Sequence, residues 1–230
     1  MEMERTPPKP TYLTRYAHPG ENPFVSLNDL PYEEANALKR RHCERNRIGG
    51  FYARDDYLFH RRAIEHWIAG QLLKKGGAPK DPAPVYMTLG PSPEGEFDIR
   101  QDIQRNHVEI TIPIEELDLR TMTFTYPDSM YEFIFDQHGA VLEGRRTNTP
   151  TVYLYQELDD VIDRYGVYAS PYEHYIEVQV WDRAPLSRLW AQNAHPFGKP
   201  GTDLRIQQGV RRICLCSGEF CQNDVKESYM

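Results

Sequence analysis

From Tyr175 to Trp181 apolar and polar positions alternate without a break. Ile176, Val178 and Val180 point one way, and Tyr175, Glu177, Gln179 and Trp181 point the other, which predicts a β-strand. A carboxylate at Glu177, in mid-strand among apolar and aromatic neighbours, is either solvated on an open sheet face or held in a cleft for chemistry. Shorter runs of the same kind recur upstream. Val85–Leu89 reads as a strand ended by Gly90-Pro91, and His107–Ile112 alternates, with Val108, Ile110 and Ile112 opposite Glu109 and Thr111. Met122–Tyr126, Tyr131–Phe135 and Val152–Leu154 complete the set of expected strands.

Elsewhere the period is helical. A helix is expected from Asp29 to about Arg45, with Asp29 as N-cap near Pro31, acidic Glu33 and Glu34 in the first turn, and Lys39-Arg40-Arg41-His42 near the C-terminal end. A second, capped by Asp55 or Asp56, carries Ile64, Trp67, Ile68 and Leu72 on one face and stops at Gly76-Gly77. His60 and Trp67 share a face of that helix, and Arg61 and Glu65 are spaced for an i,i+4 ion pair. Shorter helices are expected over 97–105, over Gln156–Tyr165 with Leu158, Val161 and Ile162 inward, and over Leu186–Trp190. The first 24 residues show no period and read as an extended arm. Residues 25–191 read as one α+β domain, and 192–230 as a tail. The fold class is therefore α+β, with two N-terminal helices followed by a strand-rich body. Its strands alternate rather than run continuously apolar, so the sheet is expected to be mostly antiparallel.

Charge refines this picture. The net charge of -7 is unevenly spread. Residues 1–75 hold 13 Lys/Arg against 10 Asp/Glu, residues 76–182 hold 7 against 20, and residues 183–230 hold 7 against 4. Basic ends packing on an acidic centre follow naturally, and the balance argues against a general polyanion binder. Neither a secretory h-region nor a membrane-length apolar run is present, so a cytoplasmic chain without a membrane partner is expected. Of the four cysteines, Cys43 is isolated, and Cys214, Cys216 and Cys221 form a C-x-C-x4-C cluster. A zinc site there would need Cys43, His42 or His195 as a further ligand. C-x-C spans one tetrahedral ion poorly, so free thiols and no metal are the expectation.

The chain lacks GxxxxGK[ST], a strand-linked GxGxxG, HExxH, GxSxG and an EF-hand loop. What it does have is an ordered series. A helix with Tyr57 and His60 is followed by a double glycine and a strand with Tyr86. Later comes the Glu177 strand, followed by Arg183-Ala184-Pro185-Leu186. In this series, over about half its length, the chain resembles ADP-ribosyltransferase-like proteins of the DarT type. The resemblance implies an enzyme that takes NAD as its substrate, with Glu177 as the catalytic carboxylate. It also implies an aromatic, Tyr86, beside the nicotinamide, with Tyr57 nearby. The early polar residue has no clear counterpart. His18 and His60 are candidates for a histidine, Arg54 and Arg61 for an arginine; the expected set is Glu177, His60 and Arg54 as catalytic, with Tyr86 and Tyr57 binding NAD. The macromolecular target, nucleic acid or protein, is left open. Breaking the glycosidic bond of NAD passes through an oxocarbenium-like state that a nearby carboxylate stabilises. The alternative is a non-catalytic interaction domain presenting an acidic surface with Tyr172, Tyr175 and Trp181.

Overall fold

The computed structural model describes residues 8–17, 22–46, 50–91, 108–126, 128–130, 151–165, 175–193, 206–207 and 210–214. One eight-stranded sheet organises them: β1 (Tyr12–Ala17), β2 (Val85–Leu89), β3 (Val108–Pro113), β4 (Met122–Thr125), β5 (Val152–Tyr153), β6 (Glu177–Val180), β7 (Ile206–Gln207) and β8 (Val210–Cys214). Their order is β5-β4-β6-β2-β1-β3-β8-β7, and every neighbouring pair is antiparallel except β3 with β8. The helices are α1 (Tyr32–Asn46), α2 (Gly50–Ala53), α3 (Tyr57–Lys74), α4 (Leu158–Tyr165) and α5 (Arg183–Asn193). The α+β class, the two long helices ahead of the other seven described strands and the mostly antiparallel pairing are as the hydrophobic pattern predicts.

Two expectations are corrected. The first 24 residues are not merely an arm, because Tyr12–Ala17 lies in the middle of the sheet between β2 and β3 and fully buries Leu13. The presumed tail likewise supplies two strands, with β8 laid parallel on β3. Both segments owe their structure to partners far away in sequence, which local periodicity does not encode. The helix expected over 97–105 and the strand over Tyr131–Phe135 lie outside the described residues.

Strand alternation divides the core between two sides. Leu13, Met87, Ile110, Phe124, Val178 and Val180 belong to one apolar cluster, which Leu158, Val161 and Ile162 of α4 and Leu186 and Leu189 of α5 complete. Each such buried side chain is worth roughly 1.5–3 kcal/mol of transfer free energy. The other side is covered by α3, whose Ile64, Ile68 and Leu72 pack with Trp181, Val152 and Met130. The same helix stripe carries Arg61 and Glu65, also buried. α3 ends where Gly76, at φ 82°, takes the left-handed conformation; Gly76 N–H donates to the Leu73 carbonyl at 3.0 Å and Gly77 N–H to that of Leu72 at 2.9 Å. The uneven charge is used between segments: Lys9 pairs with Asp159 at 2.8 Å, Lys75 with Glu157 at 2.6 Å, and Arg183 with Asp29 and Asp81.

Candidate functional site

The strand register brings together residues that are distant in sequence. Glu177 lies between Thr88 of β2 and Thr125 of β4, and Gln179 lies between Tyr86 and Thr123. On an open sheet this polar row would face water. Here α3 lies over it, and Glu177, Gln179, Thr123, Thr125 and Thr88 are all buried. Glu177 is only 6% exposed, so the solvated alternative for this residue is overturned.

A buried carboxylate needs donors. Oε2 of Glu177 accepts from Ser129 N at 3.0 Å, Ser129 Oγ at 2.5 Å and Gln179 Nε2 at 2.8 Å, with Thr125 Oγ1 at 3.4 Å. Oε1 faces Arg61, whose Nη2 is 3.4 Å away. Arg61 stacks on the Tyr86 ring, 3.4 Å from its centroid, and its Nε lies 3.7 Å from Glu65. Glu65 in turn accepts from the Tyr86 hydroxyl at 3.1 Å and from Asn28 Nδ2 at 2.6 Å. The result is a guanidinium held between two carboxylates on an aromatic face.

The electrostatics follow from this enclosure. Burial opposes the charge of Arg61, but Tyr86, Tyr57, Glu177 and Glu65 outweigh it and hold its pKa well above the ordinary arginine value. Burial raises the pKa of Glu65 above that of a free glutamate, although Arg61, Asn28 and Tyr86 pull against it. Burial likewise pushes the hydroxyls of Tyr86 and Tyr57 upward. Arg15, on β1, is brought down by burial to about 10 and remains a cation at neutral pH. It donates to the carbonyls of Tyr86 at 2.8 Å and Pro23 at 3.0 Å, and among the described residues no carboxylate pairs with it.

Beside this cluster opens a cavity of about 700 Å³. Arg15, Arg61, Glu65 and Tyr86 line it together with Tyr52 and Tyr57, which meet edge to face at 4.7 Å. Glu177 is not among the lining residues, because Arg61 stands in front of it.

Of the residues picked from the sequence, Glu177, Tyr86 and Tyr57 therefore meet around one guanidinium. His60 and Arg54 do not join them. Both engage Asp56 at the start of α3, His60 Nε2 at 3.4 Å and Arg54 Nη2 at 2.6 Å, and Arg54 is half exposed. That carboxylate, hydrogen-bonded by Arg54, has its pKa lowered to about 2. The arginine at the site is Arg61, one helical turn from Tyr57, and the i,i+4 spacing to Glu65 was its signal. Arg15 and Ser129 carried no local signal of their own, and Gln179 only its place on the Glu177 side of the strand. Trp181 is fully buried and donates to Thr123 Oγ1 at 2.9 Å, which removes it from any aromatic surface. Among the described residues no group of three or more potential ligands could hold a metal ion. Cys43 is a free thiol, whereas Cys214 is disulfide-bonded, contrary to the free thiols expected. No helix among the described residues is long and apolar enough to cross a membrane. No protein-family model, curated protein or solved structure matches the chain.

Proposed function

We propose that this protein is an ADP-ribosyltransferase-like enzyme that binds NAD in the cavity beside Tyr86 and uses Glu177 as its carboxylate. The observation that carries the reading is the planar cation seated on Tyr86 and flanked by Glu65 and Glu177. The nicotinamide ring of NAD is also a planar cation, and an aromatic face within stacking distance attracts it for the same reason. NAD binding would exchange the guanidinium for the pyridinium, uncover Glu177 and free Arg61 to meet phosphate. Arg15, a cation with no carboxylate partner among the described residues, supplies a second positive charge on the cavity wall. The volume falls within the range of about 300–1,000 Å³ usual for small-molecule sites.

Cleavage of the bond between the ribose C1′ and the pyridinium nitrogen releases neutral nicotinamide and leaves positive charge on the ribose. A carboxylate beside that ring stabilises the charge and accepts a hydrogen bond from a ribose hydroxyl. A nucleophile on the target then attacks C1′ and gives up its proton.

The test is nicotinamide release from NAD by the purified chain, together with a thermal shift on adding NAD. Glu177→Gln is expected to abolish release while the protein still melts cooperatively. A wild-type protein that neither releases nicotinamide nor shifts with NAD refutes the proposal. The interaction-domain alternative loses Trp181 to the core, while Tyr175 is half-buried and Tyr172 lies outside the described residues.

A further inference from the structure

The two oxygens of Glu177 are treated very differently. Oε2 carries the contacts to Ser129 N, Ser129 Oγ, Gln179 Nε2 and Thr125 Oγ1, whereas Oε1 has the long contact to Arg61. The donors on Oε2 are themselves ordered. Indole N–H is a donor only, so Trp181 Nε1 at 2.9 Å compels Thr123 Oγ1 to accept. The remaining Thr123 hydroxyl proton then points to Gln179 Oε1, 2.8 Å away. The carboxylate fixes which way the Gln179 amide faces, because it only accepts: the NH2 group is turned to Glu177 Oε2 at 2.8 Å and to Thr125 Oγ1 at 3.1 Å. Every donor in the row points down the β4–β6 ladder toward the carboxylate.

We infer that Thr123, Gln179 and Ser129 are positioning residues that hold Glu177 by Oε2 and reserve Oε1 for the ligand. This inference rests on the NAD reading for its catalytic half only. The relay starts at a residue of the apolar core and ends at the carboxylate, so the site inherits the rigidity of the core. Saturating one oxygen leaves the carboxylate one direction in which to accept a substrate hydroxyl. On Glu177 itself, a ligand that displaces Arg61 replaces only the 3.4 Å contact at Oε1 and leaves the tight set on Oε2 intact. Ser129 fits the same role, since it donates from both Oγ and its backbone N–H while its Oγ accepts from Arg61 Nη1 at 3.3 Å.

The experiment has two independent readouts. The first is hydrogen exchange of the Gln179 side-chain amide by NMR in the ligand-free protein. Slow exchange in the wild type, lost in Thr123→Val, is expected; exchange as fast as that of exposed glutamine side chains overturns the relay, whatever the protein does to NAD. The second is steady-state turnover of NAD. Thr123→Val and Ser129→Ala are expected to lower kcat about tenfold or more with KM within about twofold, because Ser129→Ala removes a hydrogen bond to the carboxylate and Thr123→Val releases the Gln179 amide that makes another, while ligand contacts remain. Ser129→Thr, which keeps the hydroxyl, restores most of it. Wild-type kcat in both deletion variants overturns the positioning role. An inactive wild type with a slowly exchanging Gln179 amide overturns the enzymatic reading and leaves the relay standing.

Discussion

Replacing Arg61 with Met keeps a long apolar stem and deletes the one charge that Glu65 and Glu177 share. The two ion-pair distances are 3.7 and 3.4 Å. At an effective dielectric constant of about 20, unit charges so placed attract by about 4–5 kcal/mol per pair before desolvation is counted. Desolvation of the guanidinium offsets much of this. The relevant comparison is deletion of one partner from a buried ion pair, which costs about 3–5 kcal/mol because the remaining charge is stranded. For a domain of this size that corresponds to a fall in Tm of about 6–20 °C. The loss has a pH signature. Burial raises the folded-state pKa of Glu65 above the ordinary 4.5, and Arg61 pulls it down. A carboxyl with a raised folded pKa contributes stability that is fully present below its unfolded value and is lost as pH rises through the folded value. Without Arg61 that folded value climbs further, so the variant suffers most at neutral pH and recovers relative to wild type as pH falls toward the ordinary glutamate value. Urea unfolding of both proteins at pH 5 and pH 8 measures the gap directly. A difference below about 1 kcal/mol, equal at both pH values, would refute the view that the guanidinium neutralises two buried carboxylates.

Arg15→Leu removes a buried cation that donates only to backbone carbonyls among the described residues. Its stability is expected to stay within about 1 kcal/mol of wild type, the lost hydrogen bonds being offset by the relief of desolvation, while the thermal shift with NAD disappears; an unchanged NAD shift contradicts the role given to Arg15. Gly77→Ala places a Cβ 2.1 Å from Leu72 Cδ1 and 2.8 Å from the Arg120 carbonyl oxygen, so a loss of about 1–3 kcal/mol is expected in a denaturant titration. Gly76→Ala meets nothing within 4 Å, yet is expected to cost about 1–2 kcal/mol because its φ of 82° is left-handed.

Much of the site was legible piecewise. The period of two around Glu177 marked a strand with a misplaced carboxylate, and the 3.6 period of α3 already put Arg61 and Glu65 one turn apart. What local pattern could not register was that α3 lies across β6, more than a hundred residues away. That contact turns Arg61, rather than Arg54, into the partner of Glu177. His60 is drawn off in the same way, because Asp56 at the head of its own helix is within reach and Glu177 lies beneath a different face.

The sequence by itself determined the local elements, since spacing of apolar residues, caps and glycines acts over a few residues. It also determined that Glu177 and Gln179 share one side of their strand. Only the tertiary structure decided that this side is buried, that Tyr12–Ala17 is a central strand and that Arg61 rests on Tyr86. The physical reason is that pairing partners and covering helices are chosen by the total apolar surface they bury together, a quantity no single segment contains.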